Sequence, residues 1–345
     1  MPSEAVSRPL VMADVAARAG VSHQTVSRVI NRHPSVAPHT RARVEQAIAE
    51  LGYRPNIAAR ALVTGSTRTI GLVTVNINPY GPAQTMIGLE RAARAAGYSL
   101  SVAILDHPTA EAMRDAIDSF VAQCVDAVVA LSTYDDAAAA VSAIVSPVPL
   151  VMVQAGAGED RPAVGVDQEA GARLATRHLL SLGHRTVHHV AGPEASQEAR
   201  GRVIGWRAEL IAAGAPVPDL LRGDWTPSSG YAAGKELAAR MRAEGGGVTA
   251  VFLGNDQMAL GLLAALHEEG LSVPGDVSVV GFDDLPEAPY FSPPLTTVRQ
   301  DFAELGRRGV QLLLARLRGE ELHLDAVPPE LLVRSSTGPA PRSAP

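Results

Sequence analysis

From about residue 69 onward the chain repeats one rhythm, a short unbroken apolar run followed by a longer stretch whose apolar positions recur every three or four residues. The runs "TIGLVTVN", "LSVAIL", "DAVVAL" and "PLVMV" alternate with "TMIGLERAARAAGY" and with helical stretches near 109–122 and 135–145. A second series follows: "RTVHHVAG", "ARGRVIGWRAELIAAG", a short run near "DLLRGDW", then "SSGYAAGKELAARM", "GVTAVFLGN", "DQMALGLLAALHEEG" and "DVSVVGFDD". Apolar strands separated by helices predict parallel sheets covered on both faces, here as two α/β lobes in tandem. Ligands gather at the carboxyl ends of such strands, and Asn255, Asp283 and Asp284 each follow directly on a strand-like run.

The beginning of the chain has a purely helical period. "MADVAARAG" sets Val15 and Ala19 four apart and stops at Gly20, while Ser22 can cap "HQTVSRVI", whose Val26, Val29 and Ile30 form an apolar stripe. His23, Gln24 and Arg28 fall on the other faces of that helix. A third helix, "HTRARVEQAIAEL", carries Val44, Ala47, Ile48 and Leu51 and closes at Gly52. A three-residue turn between the first two helices cannot let them lie antiparallel, so it predicts a steep crossing of the helix-turn-helix kind. Beyond it, "IAARALVTG" is a helix of about two turns, marginal without a partner.

Charge sharpens this division. The 345 residues carry a net −6, yet residues 1–64 hold eight arginines against Glu4, Asp14, Glu45 and Glu50, so a basic head precedes an acidic body. Local phosphate attraction needs such a head. Cys124 is the only cysteine, which excludes a disulfide framework and points to a reducing compartment. No export signal or membrane span is legible, so a cytoplasmic protein with no membrane association is expected. No nucleophile elbow, phosphate loop or metalloprotease motif occurs, and "GAG" at 156–158 lacks the third glycine of a dinucleotide fingerprint. His188 and His189, adjacent in a strand, point to opposite faces and read as core or surface residues rather than a metal pair. The expectation is a chain that is not an enzyme and has no cofactor or metal.

"MADVAARAGVSHQTVSRVIN" and "RARVEQAIAELGYRPNIAARAL", with "LLSLGHRTVHHVAGP", "GNDQMALG", "VSVVGFDDL" and "PPLTTVRQDF", resemble the LacI/GalR family of bacterial transcriptional repressors from about Leu10 to Thr337. The resemblance implies an α/β fold class: an N-terminal helix-turn-helix head (1–54), a hinge helix and linker (55–67), and two doubly wound lobes of the periplasmic-binding-protein type. The first lobe would comprise 68–183 and 299–325, the second 184–298 and 326–337, with 338–345 as a flexible tail.

The resemblance also assigns roles. His23, Gln24 and Arg28 match base readers of a helix in the major groove; Arg suits guanine and Gln adenine, while His23 fits a solvent-facing position equally well. Thr25, Ser27 and Asn31 match phosphate contacts or caps. Asn56 and Leu62 lie on the hinge helix, Leu62 matching a leucine that wedges into a minor-groove step. Arg202, Trp225, Asn255, Asp283 and Gln300 match effector-contacting positions in the cleft, with Phe302 lining the same pocket. Trp225 suits a pyranose face, a planar base or the core, and Asp284 is expected to satisfy loop amides. "VNINPYGPAQT" and "ALSTYDDAA" depart from the family pattern, leaving the ligand open. The implied function is a repressor of a carbohydrate-utilisation operon whose partners are pseudo-palindromic double-stranded operator DNA, a small sugar effector and a second copy of the chain. A dimer is expected because no terminal leucine heptad follows. A corepressor-dependent or nucleobase-responsive repressor is the alternative.

Overall fold

The computed structural model describes residues 10–31, 33–54, 65–75, 80–106, 109–132, 134–153, 163–243 and 247–341. The hinge positions Asn56 and Leu62 lie outside the described residues. The chain divides into two units, residues 1–67 and 68–345.

In the first unit, α1 (Met12–Ala19), α2 (His23–Ile30) and α3 (Pro38–Leu51) enclose a core of Val15, Ala16, Ala19, Val26, Val29, Val44, Ala47 and Tyr53. Gly20 ends α1 at φ 62°, a left-handed cap that reverses the chain within the short turn. Ser22 then starts α2 by accepting a hydrogen bond from Thr25 N at 3.2 Å. Arg43 of α3 donates to the carbonyls of Ala19 and Gly20, satisfying the end of α1 from outside that helix. Ile30, Ile48 and Leu51 only rim the core.

The second unit holds two sheets. The first comprises β1 (Thr69–Val75), β2 (Ser99–Leu105), β3 (Ala127–Leu131), β4 (Leu150–Val153) and β5 (Ala163–Val164), all parallel in the order β2-β1-β3-β4-β5. Every residue of β3 and β4 is buried because helices cover both faces. On one face α4 (Tyr80–Ala95) and α11 (Phe302–Leu317) pack with Ile70, Leu72 and Val129; on the other α5 (Ala110–Ala122) and α6 (Asp135–Ala143) pack with Val73, Val75 and Val128. Alternate residues of one strand thus serve opposite cores.

The second sheet comprises β6 (His188–Ala191), β7 (Leu221–Arg222), β8 (Ala250–Leu253), β9 (Ser278–Asp283), β10 (Thr296–Arg299) and the antiparallel β11 (Glu330–Leu332), in the order β11-β10-β9-β8-β6-β7. Its faces are covered by α7 (Gln168–Ser181) with α8 (Gln197–Ala212), and by α9 (Pro227–Ala243) with α10 (Asp256–Glu268). Among the described residues no helix is long and apolar enough to cross a membrane.

Three boundaries differ from the expected ones. Helix α7 does not belong to the first lobe: Ala172, Ala175 and Leu179 are buried with Val187, Trp206 and Phe282 of the second. The chain therefore crosses before Gln168, not after residue 183. Val327 packs in the first core and pairs with Val166 across the lobe connections, so it is not part of the second lobe. Nor is the tail loose from residue 338. Gly338 N donates to Ser278 Oγ at 3.0 Å, Ala340 N to the Leu182 carbonyl at 3.0 Å, and His184 Nε2 to the Gly338 carbonyl at 3.2 Å.

His188 is partly and His189 fully buried. The His189 ring stacks on Phe252 at 4.5 Å and its Nδ1 donates to the Phe252 carbonyl at 2.9 Å, while Nε2 has no partner among the described residues. Burial pushes its pKa from 6.5 down to about 3. The folded state refuses a proton that the unfolded chain accepts, so this contribution is complete above pH 6.5 and is lost as pH falls, by about 1.4 kcal/mol per unit. In His189→Phe, which keeps the stack, the stability difference between pH 7.5 and 5.5 should shrink by about that amount per pH unit below 6.5. Urea unfolding at both pH values checks this; identical losses in both proteins would assign the acid sensitivity elsewhere.

Candidate DNA-reading helix and ligand cleft

On α2 the apolar stripe is spent on the core, and the opposite surface is left to His23, Gln24, Arg28 and Asn31, all exposed. Gln24 and Arg28 stand one turn apart and so share a stripe, as do His23 and Ser27. The smaller polar groups are tied locally. Thr25 Oγ1 bonds Ser22 Oγ at 2.9 Å, and Asn31, at the carboxyl end of α2, donates to Ser27 Oγ at 3.4 Å. The helix thus presents a long amide, a guanidinium and an imidazole on a surface stiffened by its own caps.

The side chains matched to the effector cleft form a cluster where β6, β8 and β9 end, the point at which the strand order of the second sheet reverses. Arg202 on α8 is its centre and only 2% exposed. Its Nε donates to Gln168 Oε1 at 2.8 Å, its Nη1 donates to the Gly254 carbonyl, and its Nη2 lies 3.8 Å from Asp283 Oδ1. The guanidinium also stacks 3.9 Å over Phe282 and 5.3 Å from the ring of Trp225. Gln168 Nε2 donates to Gln300 Oε1 at 2.9 Å, and Gln300 Nε2 donates to Asp283 Oδ1 at 2.6 Å. Two amides thus relay hydrogen bonds from a cation to an anion and close a ring of four side chains. Asp283 is held at φ 108°, and burial raises its pKa from 3.8 to about 6 against the pull of Arg202 and Gln300.

Around this ring the remaining residues find distinct uses. Asn255 caps α10, its Oδ1 accepting from Met258 N at 2.9 Å, and its Nδ2 donates to the Trp225 carbonyl at 3.2 Å. Trp225 itself sits at φ 74°, its ring pressed against Gly192, where any Cβ would overlap the indole, and close to Gly254, where a Cβ would crowd Met258 and the indole together. Phe302 is a core residue of the first lobe that meets Tyr80 edge-on at 5.8 Å. Asp284 does not serve loop amides: Arg334 donates to its Oδ1 at 2.6 Å. Deeper still, Asp256 accepts from Leu285 N at 2.8 Å and Thr297 Oγ1 at 2.6 Å, and burial raises its pKa well above the ordinary 3.8.

Four cleft residues escape the sequence reading: Gln168, Glu198, Tyr80 and Tyr134. Glu198 precedes Arg202 by one turn, with 3.9 Å between Oε2 and Nη2, a spacing legible in sequence. Tyr134 forms an isolated bridge with Ser196 between the lobes, and burial followed by the Glu198 charge raises its phenol. Burial and the nearby Asp283 likewise raise Tyr80, which packs against both lobe cores. Both tyrosines lie in the two stretches that depart from the family pattern. Gln168, an amide opening a helix, carries no signal in sequence.

Residues 11–56 match the model of bacterial regulatory proteins, lacI family, and residues 176–337 that of a periplasmic binding protein-like domain. The chain is 36% identical over 337 residues to the lactose operon repressor of Escherichia coli K12, covering 97% of this chain and 92% of the other. It is 35% identical to the PurR repressor of Erwinia tasmaniensis, over 95% of this chain and 97% of that one, and 35% identical to the ribose operon repressor of E. coli K12, over 89% and 92%. The chain belongs to the lacI family. It is a DNA-binding transcriptional repressor with α/β lobes like those of periplasmic binding proteins. A lac repressor dimer bound to operator and the anti-inducer ONPF superposes with a TM-score of 0.84 at 35% identity, covering 96% of this repressor and all of that chain. A CelR–cellobiose complex gives 0.69 at 33% identity, covering 95% and 99%.

The seat of Trp225 in this repressor has a direct optical test. In Gly192→Ala the added methyl should lift the indole, so tryptophan emission shifts to the red and acrylamide quenching rises. Trp206, fully buried and bonded to the Val187 carbonyl at 2.8 Å, stays dark to the quencher. An unchanged spectrum would mean that the glycine does not seat the ring.

Proposed function

We propose that this repressor controls a carbohydrate-utilisation operon and is released from its operator by a small sugar bound between the lobes. The carrying observation is the cleft's chemistry: a guanidinium, carboxylates and amides converge at the strand ends beside an indole. Carboxylate, amide and guanidinium groups engage vicinal hydroxyls, and an indole covers the apolar face of a pyranose. Arg202, Asp283 and Gln300 are the contacting groups in this reading, with Trp225 as the stacking face, Asn255 holding its loop and Phe302 behind the pocket wall. The likeness to lactose and ribose operon repressors and to a cellobiose complex supports a sugar.

At the other end, Gln24 and Arg28 read bases in the major groove with His23 beside them, Thr25, Ser27 and Asn31 position the helix, and Asn56 and Leu62 act from the hinge. Two copies bind together, and the lac repressor dimer on operator supports this. An exposed apolar face on the first lobe is available for pairing: Val102, Ile104 and Ile87 are 44%, 51% and 38% exposed. Two heads then meet half-sites of a pseudo-palindrome about 34 Å apart. The effector acts by binding two lobe arrangements unequally, since equal binding would shift nothing.

Gel shifts on DNA selected by the protein from a random pool test both ends. Gln24→Ala with Arg28→Ala should lose about 1–3 kcal/mol per base contact on selected DNA while binding to unrelated DNA barely changes; undiminished selectivity would refute base reading by α2. Lactose, cellobiose or ribose should weaken the wild-type complex. A purine that strengthens it instead would favour the nucleobase reading, which the PurR relatives and a base-stacking indole support.

A further inference from the structure

Taking the cleft as the effector site, Glu198 bears on which effector enters. Its side chain is 14% exposed, and among the described residues its one charged contact is the 3.9 Å approach to Arg202 Nη2. That guanidinium donates to Gln168 and to the Gly254 carbonyl, and it shares Nη2 with Asp283 at 3.8 Å. Among the described residues no hydrogen bond reaches the Glu198 carboxylate, although its oxygens are not sealed from solvent. Burial raises its pKa from 4.5 to about 7, with Arg202 opposing and Asp283 adding to the rise. A carboxylate withdrawn from water needs donors, and a single long ion pair to a shared guanidinium supplies too few.

The surrounding charge points the same way. The charges that act on Tyr80 from the second lobe are all acidic, Asp283, Asp284, Glu287 and Asp256, and the one acting on Tyr134 is Glu198 itself. Asp284 has its own cation in Arg334. Against this set Arg202 is the cation of the ring: Nε and Nη1 are hydrogen-bonded, and Nη2 stands between the carboxylates of Asp283 at 3.8 Å and Glu198 at 3.9 Å. An anionic ligand would set its charge against Glu198 and Asp283 together, with the single Nη2 of Arg202 to answer all three, whereas a donor-bearing ligand would complete the hydrogen bonding that Glu198 lacks among the described residues.

We propose that Glu198 is a specificity residue of the cleft, whose carboxylate takes donors from the ligand, an ammonium best and vicinal hydroxyls next, and bars phosphorylated sugars. A hydrogen bond to an ionised partner outweighs a neutral one by enough for about a tenfold preference.

The test is calorimetric titration of the full chain with glucose, glucosamine and glucose 6-phosphate, and with the three galactose counterparts. The amine of a series should bind about tenfold more tightly than the neutral sugar, and the phosphate more weakly than either. Glu198→Gln should level amine and neutral sugar and relax the bar on phosphate, and Glu198→Asp should restore part of the order. Equal binding of amine and neutral sugar by the wild type, a phosphate bound as tightly as its parent, or an order that survives in Glu198→Gln would each overturn the assignment. So would the failure of all six to bind; release of operator by a neutral disaccharide would then leave the sugar-effector reading intact without it.

Discussion

A guanidinium that is 2% exposed must be surrounded by acceptors, and meeting that need for Arg202 organises the cleft. It draws in a carbonyl from the end of β8, an amide from the start of α7 and a carboxylate from the end of β9, three elements far apart in sequence. The two amides between Arg202 and Asp283 are polarised in one direction, from cation to anion, so each bond strengthens the next. Removing any member would strand a buried polar group, which makes the ring costly to break and hence specific in its geometry. Gln168 and Gln300 also stand where the chain has just crossed, or is about to cross, between lobes. The same four side chains therefore tie the strand ends of the second lobe to the lobe connections.

The carboxyl groups of the cleft are kept in different states by different surroundings. Asp256 receives two donors yet is sealed away, and burial dominates. Asp284 has a cation of its own in Arg334 and serves the frame. Asp283 is held by Gln300 and faces the shared guanidinium. Among the described residues, Glu198 alone of these acids has one long ion pair and no hydrogen bond. Position in the hydrogen-bond network, not residue type, separates the acids satisfied by the frame from the one left short of donors among the described residues.

Much of this was legible in sequence, and the limits have physical causes. The head declared itself through Gly20, Ser22 and the Val26, Val29, Ile30 stripe, because caps and periodicity are local. Strand ends at Asn255 and Asp283 were legible because apolar runs stop where polar chemistry begins. The allegiance of α7 was not: an apolar helix face says that something covers it, not which sheet does so. The tail escaped because its docking uses backbone groups at Gly338 and Ala340 that leave no trace in side-chain pattern. Asp284 was misread because Arg334 lies 50 residues further along. Gln168 acquires meaning only through Arg202 and Gln300, so no reading of its neighbours could have found it.

The pairing of the lobe connections limits how the lobes can move. Val327 N donates to the Gly165 carbonyl at 2.8 Å and Asp167 N to the Val327 carbonyl at 3.0 Å, so two of the connecting segments form a miniature parallel ribbon. Bonded strands can bend or twist together but cannot slide past each other without breaking register. At these two segments, motion of one lobe against the other therefore takes the form of torsion on a shared flexure, and lateral shear is opposed by the register of the ribbon.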